Sequence, residues 1–515
     1  MYLTQLLRRA AQRRRLETAI VCGDKTLTWE AFENRCARLA AGLFDYGLKP
    51  GDRVAMLSHN GAEYFEFSFA VPWAGGAIVP LNNRLGTEEL RYILADSGTR
   101  FLIADQCFKD VIGGFLADLP DLDKVIYFDP RSDDSDYEKL IDTHQPMDDQ
   151  LRGYEDIAGI LYTSGTTGRP KGAVLSHRNL IANAMGAAIN YGLNEDVVYL
   201  HATPLFHAAG ASRVYTMVNS ATTNIILPAF DIDALLGAIE QHRVTSLLLV
   251  PTMINRLVNH DNFDNFDVSS LQSISYGASP MPQVVLKKAL QKLPSVAFSQ
   301  AYGMTELSPA ATFLESRYHV LEGPNAGRLA SCGRPVFNAD VRIVDEEGRP
   351  LADGEVGEIV VKGPMVMQGY WQNPEATAEA IRDGWMHTGD AGYRDEEGFF
   401  FIVDRIKDLV ITGGENVSSV EVEECIYQLE GVSECAVFGI PHEDWIETIH
   451  AEVVMKAGFV MTEEQVIAHC KARMTSFKCP RSVFIRDQPL PISGTGKIMK
   501  NVLRQPYWVG RDRKV

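Results

Sequence analysis

"YTSGTTGRPKG", Tyr162 to Gly172, packs three glycines, five hydroxyl side chains counting Tyr162, and a lysine beside a proline into eleven residues. Glycines free to take positive φ let backbone N–H groups turn toward an anion, and Ser164, Thr166 and Thr167 add donors while Lys171 adds a point charge. The spacing is not that of the Walker loop, G-x-x-x-x-G-K-[ST]. Counting from Gly165, the second glycine would fall on Pro170, and Lys171 is followed by Gly172 rather than by a hydroxyl residue. An apolar run, Ile157 to Leu161, precedes the stretch and Ala173-Val174-Leu175 follows it, so the loop is expected to join two strands. On composition alone, a phosphate cradle and a polar surface hairpin are both open readings.

Outward from this loop, strand-like runs alternate with helical patterns. "RVAMLS", "AIVPLN", "FLIAD", "KVIYF", "SLLLVP" and "SISYG" predict α/β architecture with mostly parallel sheets to about residue 330. Short alternating strands punctuated by Asp-Gly then predict an antiparallel β region in "NADVRIVDEEGRPLADGEVGEIVVKG". "FFFIVDRIKDLVITGGENV" reads as two strands around a charged break, Asp404 to Asp408, and the residues beyond it suit a small α+β unit. At 515 residues the chain is too long for one ordinary core.

Lys plus Arg total 49 against 67 Asp plus Glu, a formal charge of −18, which argues against a nucleic-acid partner. Eight cysteines show no C-x-x-C pair and read as free thiols of a reducing, cytoplasmic setting. No apolar run approaches the roughly 18 residues of a membrane span. "LLRRAAQRRRLETAIV" carries five arginines and no acid before Glu17. It resembles a transit peptide superficially, but strand-like "TAIVCGDKTLTW" follows at once, so an opening amphipathic helix with at most a weak membrane-surface contact is expected.

Other clusters pair glycine with polar groups. In "QAYGMTE", Tyr302 can stack on a base, Thr305 can donate to phosphate, and Glu306 can hold a hard cation. "WMHTGD" ends in Asp390, an acceptor suited to a ribose diol, and "PISGTGKIMK" delivers Lys497 on a glycine-rich turn. Taken in order, "YTSGTTGRPKG", "QAYGMTE", "GWMHTGD", "DRIKDLVITGGENV" and "PISGTGK" resemble the motif series of the adenylate-forming superfamily, and the likeness runs from about Leu3 to "LRQPYW".

The resemblance implies ATP, Mg²⁺ and a two-step reaction through an acyl-adenylate. It implies that Thr163, Ser164, Gly165, Thr166, Thr167, Gly168 and Lys171 bind phosphates, and that Gly277, Ala278, Tyr302 and Gly303 line the adenine site. Thr305 would meet the α-phosphate, Glu306 the Mg²⁺, and Asp390 and Arg405 the ribose. Lys497 would bridge carboxylate and α-phosphate, His207 of "PLFHAAG" would gate the acyl channel, Lys407 would be a hinge, and Gly414 would border a pantetheine tunnel. For His207 a simple capping role is the competing reading, and for Gly413-Gly414 a plain tight turn. The implied fold is a large N-terminal domain, 1–405, of stacked α/β subdomains plus a β-barrel, and a mobile α+β C-terminal lid, 406–515.

"GGENVSSVEVEE" most resembles the acid:CoA ligases, so CoA is the expected acceptor; a carrier protein, or a silent adenylate-binding protein, is the alternative. The chain ends 18 residues after Lys497 without a carrier domain, and "DRKV" is not a peroxisomal signal. Amino-acid-activating relatives place an Asp after the gate, whereas Pro204 to Asn219 has no acid; a fatty or aryl acid is expected. Arg213 is the one charge there; it is expected to face outward, with reading a carboxylate as the alternative role. Ile446 stands where the family commonly has glycine. A homodimer is compatible with the resemblance.

Overall fold

The computed structural model describes residues 1–163, 169–492 and 498–509. Seven strands form one sheet in the spatial order Gly369–Tyr370, Lys171–Ser176, Ile157–Thr163, Ala77–Pro80, Arg53–Leu57, Thr99–Asp105, Lys124–Phe128. The last five pair in parallel, and Lys171–Ser176 returns antiparallel along Ile157–Thr163. A second sheet of nine strands is parallel from Thr18–Cys22 to Ala297–Gly303, with antiparallel strands at both edges. Strands such as Ala77–Pro80 and Ser246–Leu249 are buried at every residue, which is why they read as unbroken apolar runs. The helix Ala62–Trp73 is likewise buried all round.

Where a β-barrel was expected, a five-stranded antiparallel sheet carries Asp340–Val344, Gly357–Lys362, Trp385–Arg394 and Ile381–Arg382, with Phe400–Arg405 added on Trp385–Arg394. Beyond the charged break, Val410–Thr412, Glu415–Val417, Val432–His442, Ile446–Met455 and Ser482–Arg486 form a fourth sheet. Helices Ser419–Tyr427 and Glu463–Lys471 help close a separate apolar core around Val422, Val437, Ile449 and Val466.

The N-terminal arginines belong to the fold. Helix Thr4–Arg14 buries Leu6, Leu7, Ala10 and Ala11, while Arg13 pairs with Glu195, Arg14 with Glu17, and Arg15 with Glu30. No helix among the described residues is long and apolar enough to cross a membrane.

Ile446 is held at φ +69° and is exposed. A β-branched side chain in the left-handed region costs about 1–2 kcal/mol, and an exposed one returns little by packing. Glycine would relieve this while losing about 0.5–1 kcal/mol to unfolded-chain entropy. Ile446→Gly is therefore expected to stabilise the protein by roughly 0.5–1 kcal/mol in a urea unfolding experiment; a lowered midpoint would contradict the strain.

Candidate active site

The expected hairpin is present. Thr163 and Lys171 are opposite partners at its mouth, with Thr163 Oγ1 donating to the Lys171 carbonyl at 3.3 Å. Its strands are clamped from outside: the Tyr162 hydroxyl donates to Asp96 at 2.5 Å, Trp371 N donates to the Gly172 carbonyl at 2.7 Å, and Trp371 Nε1 donates to the Asp96 carbonyl at 3.0 Å. Ser164, Gly165, Thr166, Thr167 and Gly168 lie outside the described residues.

Glu306 sits on a single 3₁₀ turn, Thr305–Leu307, with its side chain buried and Thr305 half-buried beside it. The Tyr370 hydroxyl donates to Glu306 Oε1 at 2.7 Å, and Lys171 Nζ lies 5.3 Å above the Tyr370 ring. Tyr370 thus joins the acidic residue to the lysine at the loop mouth. A buried carboxylate oxygen fits Mg²⁺, which usually takes one or two carboxylates and completes its shell with phosphates and water. Glu306 belongs to no preformed cluster of three ligands among the described residues, in keeping with that habit.

Asp390 is the most firmly held of the expected residues. It is buried on Trp385–Arg394, directly opposite Arg405 on Phe400–Arg405. Tyr302 donates its hydroxyl to Oδ2 at 2.7 Å, and Arg405 Nε lies 2.9 Å from Oδ1. The carboxylate raises the Arg405 pKa, while burial first and Asp390 second push the Tyr302 phenol well up, so it stays a donor. Tyr302 therefore does more than present a ring.

Gly277 and Gly303 are small because strands approach closely: a Cβ would lie 2.2 Å from the Ala301 carbonyl oxygen at Gly277 and 1.8 Å from that of Pro309 at Gly303. Ala278 follows at φ +70°, a conformation non-glycine residues seldom adopt outside constrained sites.

His207 caps the helix Ala208–Asn219, its Nδ1 accepting from Ala209 N at 3.4 Å. The cap is present, with the ring half-buried at the start of this helix. Gly210 is there for backbone clearance, since a Cβ would meet the Pro204 carbonyl oxygen at 2.1 Å.

Arg213 corrects an expectation. It does not face outward; it is 6% exposed, with its guanidinium 4.1 Å over the Tyr191 ring and Nη2 3.5 Å from Ser275 Oγ. The helix is buried on all sides from Gly210 to Val218, so no outer face exists for a charge to take.

Lys407 lies in the turn between Phe400–Arg405 and Val410–Thr412, where burial first and Arg405 second lower its pKa to about 8. Gly413 and Gly414, at φ +62° and +86°, form the two-residue turn between Val410–Thr412 and Glu415–Val417. Both φ values suit a tight turn, and a Cβ on Gly414 would meet open space. Lys497 lies outside the described residues; Ile492 and Ile498 form an antiparallel bridge. Its neighbour Lys500 is committed to Glu423 at 2.7 Å and Ser419 Oγ at 2.6 Å.

A family profile described as "AMP-binding enzyme" matches residues 7–371, and a second, "AMP-binding enzyme C-terminal domain", matches residues 421–497. The chain belongs to the AMP-binding enzyme family. Feruloyl-CoA synthase from an Amycolatopsis species is 40% identical to this AMP-binding enzyme over 492 residues, covering 95% of this chain and 96% of its own. 4-Hydroxybutyrate–CoA ligase 2 of Metallosphaera sedula is 33% identical over 515 residues, covering 97% and 93%. Among solved structures, ATP-bound MatB from Rhodopseudomonas palustris superposes with a TM-score of 0.89 at 32% identity, covering 98% of this chain and 99% of that one. The AMP-binding enzyme described here is an AMP-forming acid:CoA ligase, with ATP and CoA as substrates and the Mg²⁺ general to its family.

Sequence reasoning missed Tyr370 and Asp96 as supports. "GYWQNP" carried only family likeness, and the bonds of Tyr370 to Glu306 and Asp96 to Tyr162 span 64 and 66 residues, so no local pattern announces them.

Proposed function

We propose that the chain activates a fatty or aryl carboxylic acid as its acyl-adenylate and transfers the acyl group to CoA, with residues 1–405 holding substrates and residues 406–515 acting as a lid. The observation that carries this reading is the fixed Asp390 carboxylate, set between Tyr302 and Arg405, near the start of the lid. In the first step a carboxylate oxygen of the acid attacks the α-phosphorus, the bond to the β-phosphate oxygen breaks, and pyrophosphate leaves. In the second, the CoA sulfur attacks the acyl carbonyl and AMP leaves. The acid is already a nucleophile, so the site's task is to position donors toward the charge that gathers on phosphorus.

In this reading the hairpin from Thr163 to Lys171 holds the β- and γ-phosphates, Thr305 the α-phosphate, and Asp390 with Arg405 the ribose. Adenine lies along Gly277, Ala278, Tyr302 and Gly303. Glu306 would hold Mg²⁺, which supplies charge neutralisation on the phosphates when bound. His207 gates the acyl channel, Lys497 bridges the reacting groups, Lys407 is the hinge, and Gly414 borders the tunnel. Eight free thiols suit a cytoplasmic setting.

A pyrophosphate-release screen over a carboxylic-acid panel, with and without CoA, tests the whole reading. Fatty or aryl acids should give CoA-dependent thioester, and α-amino acids should be poor substrates because no acid follows the gate from Pro204 to Asn219. An α-amino acid with the highest kcat/KM would overturn the assignment.

A further inference from the structure

Arg213 is a buried cation without a carboxylate. Its guanidinium lies over the face of Tyr191 and 3.5 Å from the Ser275 hydroxyl, and its Nε has no hydrogen-bond partner. Tyr191 and the buried Tyr199 both act on its charge, and neither supplies a carboxylate. His201, nearby, is held neutral, its pKa lowered to about 4 by burial, against an opposing bond from Asn224, and further by Arg213. An ionised group removed from water without a counter-charge costs several kcal/mol. A guanidinium cannot escape that cost by losing its proton. A buried guanidinium with an unpartnered Nε and no carboxylate describes a place built for an anion that arrives from outside.

The position says which molecule brings it. Arg213 is on the helix that begins at the His207 gate. Ser275 lies two residues before Gly277 on Ser273–Gly277, about 6.6 Å deeper along the strand. Tyr191 lines a cleft with Ala187, Ala301, Phe313 and Val336, and Ala301 is the strand partner of Gly277. We propose that Arg213, with Tyr191 and Tyr199, is a subsite for a second carboxylate at the far end of the acid, so that the substrate is a dicarboxylic acid activated at one end only. This rests on the ligase reading above and narrows it. A linear diacid and an aryl acid with a second carboxyl are the two forms such a substrate can take.

The test compares adipate with hexanoate, and 4-carboxycinnamate with 4-methylcinnamate, in acid-dependent pyrophosphate exchange. The wild type should favour the dianionic member of a pair by roughly a hundredfold in kcat/KM, because a site built for a polar group rejects the analogue that leaves it unpaired. Arg213→Met should reverse the preference, raising the neutral acid while lowering the diacid, and Arg213→Lys should restore part of it. Thermal-shift measurements with the same acids and ATP read binding without turnover, and the diacids should raise the melting temperature of the wild type but not of Arg213→Met. Should either substitution fail to fold, Arg213→Gln and the wild-type preference still decide. A wild type that prefers the neutral acids, no thermal shift with any diacid, or an equal loss for both members of a pair in Arg213→Met would each overturn the subsite. Failure of the ligase reading looks different: no thioester from any acid, even where a diacid binds.

Discussion

Replacing Lys497 by alanine is expected to cut acid-dependent pyrophosphate exchange by about 10²–10³-fold, the usual loss when one donor to a developing oxyanion is removed. Conversion of supplied acyl-adenylate plus CoA to thioester should be nearly unchanged, because in that step phosphorus is no longer attacked. The neighbouring lysine gives the contrast. Lys500 is bound to Glu423 and Ser419, and although burial opposes it, Glu423 and Asp404 raise its pKa. Lys500→Ala would leave Glu423 as a buried carboxylate without its cation, so stability should fall before either half-reaction is selectively lost. Equal damage to both half-reactions in Lys497→Ala, measured at matched folded fractions, would refute its role as an adenylation residue.

The second large effect is expected at the turn between the barrel-position sheet and the lid. One lid position cannot easily serve both Lys497 at the phosphorus and a thiol approaching the same carbonyl, so we propose that the lid rotates about Lys407 between steps. Lys407→Pro fixes φ at the pivot and should lower thioester formation from supplied acyl-adenylate by about a hundredfold, as expected for a misplaced reacting group, while sparing adenylation. If Gly414 borders the proposed tunnel, Gly414→Leu should act on the same half-reaction by filling it. Because Gly414 sits at φ +86°, leucine also strains the turn. Gly414→Asn, which tolerates the left-handed conformation, separates the two effects. If Lys407→Pro and Gly414→Leu both made acyl-CoA from supplied adenylate at the wild-type rate, the alternation would be wrong for this protein.

The parallel sheets, the hairpin and the break at Asp404 to Asp408 were legible because each is a local pattern: apolar runs of strand length, glycine clusters and a charged interruption. Lys171, Glu306 and Asp390 stood out only as members of an ordered motif series. The supports did not, since Tyr370, Asp96 and Trp371 act across long loops of chain. Arg213 was misread for a physical reason. Charge normally reports exposure, and a helix wrapped on every side breaks that link. Ile446 was flagged as a departure, but its φ of +69° is a backbone property that no composition rule conveys.

The cross-strand pair of Asp390 and Arg405 has a kinetic consequence. It is the last rung of the Trp385–Arg394 and Phe400–Arg405 ladder, followed only by the bond from Ile406 N to the Gly389 carbonyl, and Lys407 is the next residue. In the proposed cycle, rotation therefore begins just past the rung that grips the ribose. An acyl-adenylate is a mixed anhydride that water destroys, and its escape competes with transfer at every turnover. In that proposed cycle the grip would stand on the stationary side of the pivot, so the intermediate would stay seated while the lid swings, and commitment to thioester would be decided by the ladder rather than by how fast the lid moves.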